Sequence, residues 1–288
     1  MILILLIMLQ LEENEPVISI IIPCFNHGHF IKDALDSILK FPDIKQEIII
    51  VDDGSTDPNT ITVLTELKND GFLVFRQENK GLSAARNTAI RLARGKYILP
   101  LDCDNKILPN YIPLAVNFLN ENKNFDVVYG DRILFGNKTG IVLSRKFCLH
   151  NLITGNFIDA CAVYRKSAWE KIGGYDESKT MRMGVEDWEF WLNLAFNGFK
   201  FHYINEPVFM YRLTGTSMVD QDTKPNFGIL RDYIESKHSY FINYNAPADY
   251  IIEKFRANPF VLILKLILGA YFPKKYVALV QQRKIKRI

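Results

Sequence analysis

The sequence predicts an α/β domain with a mostly parallel central sheet flanked by helices and a C-terminal helical extension. Apolar, β-branched runs alternate with amphipathic segments at about 25–30 residues per unit, which is typical of βαβ units. The runs are continuous rather than alternating, as expected for strands buried on both faces. The chain has 288 residues, of which 48% are hydrophobic, so it can form a sizeable core. This composition excludes a disordered or fibrous protein.

The N-terminal half supplies four predicted strands and the helices that follow them. The strands are Val17–Ile22, Glu47–Val51, Phe72–Phe75 and Tyr97–Leu101. The predicted helices cover residues 29–40, 59–69 and 83–94, where apolar side chains recur on one helical face, and Pro109 begins a further helix. Each strand is thus followed by a helix, which is the crossover that parallel pairing requires.

The C-terminal half has a less regular pattern. Strands are predicted at 126–129, 200–204 and 208–211, short apolar segments at 141–143 and 160–164, and helices at 186–197 and 223–245. We expect the domain to cover residues 16–220, with an apolar N-terminal extension at 1–15 and a helical, basic tail at 221–288. The extension is either a mis-assigned start or a strand or interfacial segment, because it is shorter than the about 20 apolar residues of a membrane span. It also lacks the basic residues that begin a signal peptide.

The charges and cysteines indicate where the protein works. Residues 254–288 carry nine Lys and Arg and no acid, whereas residues 1–253 hold 26 basic and 32 acidic residues, a net of −6. The tail also contains the apolar stretch Pro259–Phe272, which predicts a peripheral contact of residues 254–288 with an anionic membrane. A solvated basic end on a packed helix is the alternative. The four scattered cysteines favour a reducing, cytoplasmic location, on the inner face of the plasma membrane if the tail binds there.

Polar clusters follow three of the predicted parallel strands. They are Pro23–Asn26, Asp52–Asp53 and Asp102–Asp104. Ligands of open α/β sheets bind beyond the carboxyl ends of the strands, so we expect these clusters to meet in one crevice. Neither a GxGxxG nor a GxxxxGK[ST] motif is present, which excludes the common dinucleotide and P-loop sites. Nucleic acid is not an expected partner, since no basic and aromatic residues interleave as in a stacking platform.

Each candidate group has a functional and a structural interpretation. Asp102 and Asp104 could share a divalent cation, or they could cap a turn. Asp53 could accept hydrogen bonds from a base or ribose, or the 52–57 segment could cap the next helix. Arg86 could bind an anion near a helix N-terminus, or pair with a carboxylate of a neighbouring helix. Asp187 could be a general base, or Glu186 and Asp187 could compensate the helix dipole.

Five segments occur in an order and spacing that resemble the family 2 glycosyltransferases of GT-A fold. They are Ile20–Asn26, Val51–Asp57, Asn79–Asn87, Leu101–Asn105 and Glu186–Glu189, within about residues 16–217. The resemblance implies an inverting transfer of a sugar from a nucleotide-diphosphate donor, a UDP- or dTDP-sugar, to a hydroxyl of a saccharide or lipid-linked saccharide. It also implies a divalent cofactor, Mn²⁺ or Mg²⁺.

The resemblance also assigns roles to individual residues. Asp187 is the implied catalytic base, with Glu186 and Trp188 on the acceptor side, and Asp104 is the implied metal ligand. The implied donor-binding residues are Pro23, Phe25, Asn26, Asp53, Arg86 and Asp102. Asn156, Asp159 and the 136–157 region are expected to shape the acceptor site.

One motif departs from the family pattern, and two alternative functions stay open. Relatives often have a His after the Tyr-Arg of the closing loop, where this chain has Thr214 after Tyr211-Arg212. A sugar-phosphate nucleotidyltransferase also builds a nucleotide crevice on an α/β sheet, although it would normally show a Gly-rich, basic loop after the first strand. A catalytically inactive nucleotide-sugar-binding subunit is the non-enzymatic alternative.

Overall fold

The computed structural model describes residues 16–39, 44–214 and 219–239, together with residues 242, 256, 258–260, 263, 264 and 267. The predicted extension at 1–15 and most of the tail beyond 239 lie outside the described residues. The chain divides into two compact units, one formed by Met1–Phe147 with Asn151–His238 and the other by Cys148–His150 with Ser239–Ile288. The first unit extends to His238, past the expected boundary at 220. Among the described residues, no helix has the length and apolar character needed to cross a membrane.

The N-terminal half has the predicted alternation of strands and helices. Its elements are β1 (Ile18–Cys24), α1 (Gly28–Ile38), β2 (Gln46–Asp52), α2 (Pro58–Asn69), β3 (Leu73–Arg76), α3 (Leu82–Leu92) and β4 (Tyr97–Pro100). Strand β1 pairs in parallel with β2 and with β4, and β2 pairs in parallel with β3. The parallel arrangement is therefore confirmed across the four strands that lead to the predicted crevice.

The C-terminal half contains shorter elements that the sequence pattern shows only in part. They are β5 (Lys106–Ile107), α4 (Tyr111–Glu121), β6 (Val127–Gly136), β7 (Gly140–Val142), α5 (Leu149–Thr154), β8 (Val163–Arg165), α6 (Lys166–Ile172), α7 (Glu186–Phe196), β9 (Phe201–Leu213) and α8 (Lys224–Lys237). A 3₁₀ turn at Thr180–Met183 precedes α7, and a π turn at Val219–Thr223 precedes α8. Pro109 does not begin α4, because Asn110 adopts a left-handed conformation before Tyr111.

The described strands form one sheet with the order β3-β2-β1-β4-β8-β6-β9-β5, and β7 pairs with β6 off this path. Beyond β4 the pairings are mixed, since β8 is antiparallel to both β4 and β6 while β9 runs parallel to β6. Strand β9 is continuous, although two strands were predicted there. The pairing passes from Gly130–Ile204 to Asp131–Pro207, so a bulge accommodates Asn205, Glu206 and the N–H-less Pro207 without ending the strand.

Two hydrophobic clusters cover the two faces of the sheet. Because successive side chains of a strand point to opposite faces, Ile20 and Ile22 of β1 enter one cluster and Ile21 enters the other. The first cluster includes the buried faces of α1 and α4. The second includes α3, the aromatic stripe of α7 and Leu230 of α8. The apolar stripes read from the sequence therefore fix α3 and α7 on the same side of the sheet.

A buried carboxylate joins the strands at the edge opposite the crevice. Glu47 of β2 accepts hydrogen bonds from Ser19 Oγ (2.6 Å) and from the backbone N–H of Arg94 (2.6 Å) and Gly95 (3.2 Å). Burial opposes ionisation of Glu47, but the bonds from Ser19 and Arg94 outweigh it and lower the pKa of the carboxyl. Gly95 leaves room for this contact, since a Cβ there would lie 2.5 Å from Ser19 N.

We predict that Glu47→Gln lowers the free energy of unfolding by about 1.5–3 kcal/mol at pH 7, because charged hydrogen bonds are lost. The folded-state pKa is depressed, so the stabilisation is present above the unfolded pKa, near 4.5, and is lost as the pH falls below it. The stability gap between wild type and variant should therefore shrink at pH 3.5 in urea unfolding. Glu66→Gln is the matched control, since Glu66 lies exposed 3.8 Å from Lys32. An equal gap at both pH values would contradict the prediction.

Candidate active site

Asn26 joins the loop after β1 to the loop after β2. Its backbone is left-handed, with φ 57°, which Asn tolerates better than most residues. The Asn26 Oδ1 atom accepts the backbone N–H of Thr56 (2.8 Å) and of Asp57 (2.9 Å), and the Asn26 N–H donates to Ser55 Oγ (3.0 Å). The structure thus gives Asn26 a role in shaping the predicted nucleotide pocket, and its contact with the donor stays a prediction.

Asp53 fixes the third loop of the crevice. Its carboxylate is buried and accepts from Gln77 Nε2 (2.7 Å) and from the backbone N–H of Lys80 (3.0 Å) and Gly81 (2.8 Å). The helix cap that was the alternative for this segment comes from Asp57, whose Oδ2 accepts the Thr60 N–H (2.8 Å). Asp57 therefore caps α2, whereas Asp53 fixes the loop that contains Lys80 and Gly81. The contact of Asp53 with a base stays a prediction.

Phe25 presents an aromatic surface beside these loops. Its side chain is 44% exposed, whereas Pro23 is buried as part of β1. A large apolar side chain exposed at the carboxyl end of a central strand is suited to stack on a flat ligand. Pro23 therefore offers little surface of its own to a ligand.

Arg86 is the most deeply buried cation of the crevice. Its side chain, on α3, is 1% exposed. Its Nη2 lies 2.8 Å from Asp102 Oδ1, and its Nη1 bonds Glu186 Oε1 at the start of α7. The ion-pair interpretation is thus confirmed for Glu186, which lies on helix α7, and Asp102, on the loop after β4, is a second partner. A direct contact of Arg86 with the nucleotide stays a prediction, for which the buried Nε without a partner is the remaining donor.

Asp102 and Asp104 lie on the loop that follows β4. Burial, followed by the charge of Asp102, raises the pKa of Asp104 to about 7. The loop is held from the other side by Arg212, whose Nε donates to the Asp104 carbonyl (2.9 Å) and whose guanidinium packs over Phe30 and Phe135 (4.4 and 4.3 Å). Asp104 is therefore a poorly compensated carboxyl in a fixed position.

The carboxylates of Asp102 and Asp104 fit a hard divalent cation whose remaining coordination positions are filled by a bound ligand. The part of the chain that the structure describes contains no cluster of three or more metal-ligating side chains. Mg²⁺ and Mn²⁺ are commonly bound by one or two carboxylates together with substrate phosphates, so the Asp102–Asp104 pair suffices only when phosphate oxygens are present. The raised pKa of Asp104 is consistent with this, because a nearby cation would restore its charged form.

Asp187 occupies the first turn of α7, after Val185 in a left-handed conformation. Burial, followed by the charges of Glu186 and Asp159, raises the pKa of Asp187 to about 8. The Asp187 Oδ2 atom accepts a hydrogen bond from Asn156 Nδ2 (2.9 Å). A carboxyl with a pKa near the working pH, held on a rigid helix, has the properties of a general base.

Asp159 connects the two carboxyl groups electrostatically, since its charge acts on both Asp104 and Asp187. Its own partner is Arg132, with Nη1 3.0 Å from Asp159 Oδ2. The sequence pattern points to Asp159 only as part of an acceptor region and does not single out Arg132. No motif marks Arg132, which lies in β6 beyond the strand predicted at 126–129.

Trp188 does not line the crevice. Its indole is 2% exposed, its Nε1 donates to the Leu152 carbonyl (2.6 Å), and it belongs to the second hydrophobic cluster. The structure therefore gives Trp188 a packing role, in contrast to the acceptor-side role that the resemblance implies. The reason is helical geometry: consecutive residues of α7 point about 100° apart, so Asp187 and Trp188 face different surroundings.

The C-terminal end of α8 binds a buried carboxylate of α7. Glu189 of α7 is fully buried, and its Oε1 atom lies 2.8 Å from Lys237 Nζ and 2.8 Å from His238 Nε2. Lys237 Nζ also lies 2.6 Å from Asp176 Oδ2, in the segment before α7. Because breaking a buried pair is costly, this cluster makes α8 an integral part of the first unit.

The sheet order and the Asp-lined crevice define an α/β enzyme fold of the GT-A type. The crystal structure of Staphylococcus aureus TarS 1–349 in complex with UDP-GlcNAc has the same fold, with a TM-score of 0.60 at 22% identity over 70% of this chain and 60% of that chain. The sequence model described as glycosyl transferase family 2 matches residues 19–173, more than half of the chain. The chain therefore belongs to glycosyltransferase family 2.

Its relatives include polysaccharide synthases. The chondroitin synthase of Pasteurella multocida is 27% identical over 253 residues, which are 83% of this chain but 26% of that protein. The chain therefore spans about a quarter of that relative's length. An uncharacterized glycosyltransferase of Rickettsia typhi is 30% identical over 238 residues, 76% of this chain and 70% of the relative.

We predict that Arg86→Lys lowers the free energy of unfolding by about 3 kcal/mol, because one ammonium cannot bond Asp102 and Glu186 at once and leaves a buried carboxylate uncompensated. The measurement is urea unfolding monitored by tryptophan fluorescence. Arg91→Lys is the matched control on the same helix, where the side chain is exposed and only 3.8 Å from Glu177. A loss no larger than that of the control would show that the bridge is not required.

Proposed function

We propose that this domain catalyses an inverting transfer of a sugar from a UDP- or dTDP-sugar to a hydroxyl of a saccharide or lipid-linked saccharide. The observation that carries the proposal is the position of Asp187, a half-buried carboxyl with a pKa of about 8. It lies on the first turn of a helix that Arg86 ties to the Asp102 loop through Glu186. A single displacement needs a general base near the acceptor and acidic residues near the diphosphate. Asp187 and the Asp102–Asp104 pair would supply these groups in one crevice.

Asp187 would take the proton of the acceptor hydroxyl as the new glycosidic bond forms. Asn156 donates to one of its oxygens, which orients the carboxylate and favours its charged form. General-base assistance of this kind contributes about 10²–10⁴-fold to a rate. Inversion requires no covalent intermediate, so a Ser or Cys nucleophile is not needed.

Asp104, with Asp102 beside it, would hold Mn²⁺ or Mg²⁺ together with the diphosphate of the donor. When bound, such an ion neutralises the negative charge of the leaving diphosphate as a Lewis acid. The residues of this chain supply the position: Arg86 fixes the Asp102 side chain, and Arg212 fixes the Asp104 backbone. Without that fixation two neighbouring carboxylates would separate to reduce their repulsion.

The nucleotide would lie over the loops that Asn26 and Asp53 hold together. The exposed ring of Phe25 offers a stacking surface for the base. The Asp53 carboxylate, which accepts from Gln77, Lys80 and Gly81, would accept a base N–H through a remaining lone pair. TarS forms a complex with UDP-GlcNAc, which supports a UDP-sugar as donor. The polysaccharide synthases among the relatives support a saccharide acceptor.

The proposed location is the cytoplasmic face of the plasma membrane. The described residues of the second unit include four exposed apolar side chains, Phe260, Ile263, Leu264 and Ile267. Their spacing of i, i+3, i+4 and i+7 places them on one face of a helix. Together with the basic residues of 254–288, this face supports a peripheral membrane contact.

We predict that Asp187→Asn lowers kcat by about 10²–10⁴-fold while the Kd for UDP changes less than about twofold, because only proton transfer is lost. The wild-type kcat/KM should rise with pH up to about 8, since Asp187 must be ionised to accept a proton. Asp36→Asn, an exposed position on α1, is the control. Near-normal turnover of Asp187→Asn would refute the base assignment.

We further predict that UDP binding is strengthened by Mn²⁺ and that Asp104→Ala removes this strengthening, because the phosphate-side ligand is lost. Isothermal titration of UDP, with Mn²⁺ and with EDTA, measures the effect independently of turnover. Donor hydrolysis by the wild type separates an active enzyme from a binding subunit. Equal UDP affinity with and without Mn²⁺ would contradict the metal assignment.

A further inference from the structure

One continuous segment of the chain contains Lys and Arg but no acidic residue. Residues 132–158 carry four cations, Arg132, Lys138, Arg145 and Lys146, and no Asp or Glu. Residues 1–253 have a net charge of −6, so outside this segment their net charge is −10. Arg132 is paired with Asp159, so the positive charge of this segment rests on Lys138, Arg145 and Lys146. A cationic cluster of this kind within a domain of the opposite sign indicates a contact with an anionic partner.

The same segment exposes two aliphatic side chains, one on an edge strand and one just beyond it. Ile141 of β7 is 60% exposed, and Leu143, the first residue after β7, is 72% exposed. Strand β7 pairs with β6 through Ile133–Ile141, and no described strand pairs with its other edge. We call the exposed residues Lys138, Ile141, Leu143, Arg145 and Lys146 the hairpin surface.

The hairpin surface is held in place by the sheet beneath it. Ser144 donates its N–H to Asp131 Oδ1 (2.7 Å) and its hydroxyl to the Phe157 carbonyl (2.7 Å). Tyr129 OH donates to the Arg145 carbonyl (2.7 Å), and the Arg145 guanidinium lies 5.4 Å from the Phe157 ring centroid. The backbone is therefore fixed, so the aliphatic side chains cannot turn inward to escape water.

We propose that the hairpin surface docks on an anionic lipid membrane. Aliphatic side chains beside lysine and arginine suit the boundary between acyl chains and anionic headgroups. A hydrated glycan would be met by aromatic and amide groups, whereas the exposed apolar side chains of this surface, Ile141 and Leu143, are aliphatic. Pairing of two β7 edges is disfavoured, because it would bring the cations of both copies together.

The docking surface is linked to the proposed base through a short path. Ser144 bonds the Phe157 carbonyl, and the preceding Asn156 donates to Asp187 Oδ2 (2.9 Å). A membrane at the hairpin would bring an acceptor carried on a lipid near Asp187. This part of the inference rests on the proposed function and favours a lipid-linked acceptor over a free saccharide.

A fluorescent label on the hairpin tests the docking directly. All four native cysteines are buried, so Leu143→Cys adds a single accessible thiol for an environment-sensitive dye. Ile61→Cys, on the exposed side of α2, is the matched control. With the full chain and vesicles of phosphatidylcholine containing phosphatidylglycerol, we expect a blue shift at position 143 and none at 61, and no shift with phosphatidylcholine alone.

Flotation with the same vesicles measures the energetic contribution. Replacing Lys138, Arg145 and Lys146 by Gln should weaken binding at least tenfold, since each cation near an anionic surface contributes about fivefold. If the protein binds the vesicles but the dye at position 143 shows no blue shift, the proposal is overturned. The binding would then be attributed to residues 254–288. Quenching of the shift by a soluble saccharide, or a vesicle-free dimer in light scattering, would also overturn it.

Catalytic activity is measured separately from membrane binding. Donor hydrolysis and transfer to a soluble acceptor are measured on the wild type without vesicles, so that neither readout depends on docking. Absence of both activities in the wild type would contradict the proposed function but would leave the vesicle result valid.

Discussion

The buried guanidinium of Arg86 is the interaction on which the crevice depends. It joins the Asp102 loop to the first turn of α7, segments that are far apart in the chain. Because a planar fork can bond two carboxylates at once, one side chain sets the position of the Asp102 loop and of the helix that carries Asp187. The anchoring of α3 in the second hydrophobic cluster gives this cation a fixed location. Burying the Arg86 guanidinium without Asp102 or Glu186 would be costly, so the cation and its two carboxylates require one another.

The electrostatics of the crevice follow from an excess of acid. Asp104 and Asp187 have raised pKa values because burial and neighbouring carboxylates both oppose their charged forms. Asp159 adds to both effects, although it is itself paired with Arg132. Such a site repels an anionic donor unless positive charge is added. A divalent ion on the phosphate side would reverse this local field, and it would also favour ionisation of the carboxyls around it.

Charge is distributed unevenly over the whole chain, and its near-neutral total of +3 conceals this. The acidic crevice is the proposed catalytic site, whereas the acid-free segment 132–158 and the basic residues of 254–288 are both proposed to contact an anionic membrane. Helix α8 shows a third use of charge, since Lys237 and His238 hold the buried Glu189. That cluster explains why the compact unit continues to His238, although the motifs end near 217.

The sequence by itself determined the elements of the parallel half and the motifs at the ends of its strands. Those features depend on neighbours within a few residues: β-branched runs form buried strands, and the cap of α2 needs only Asp57 and Thr60. Only the tertiary structure decided that Arg86 pairs with Asp102 and Glu186, that β9 continues through Pro207, and that Trp188 faces the core. The physical reason is that ion pairing, strand register and side-chain direction depend on which distant segments the topology brings together.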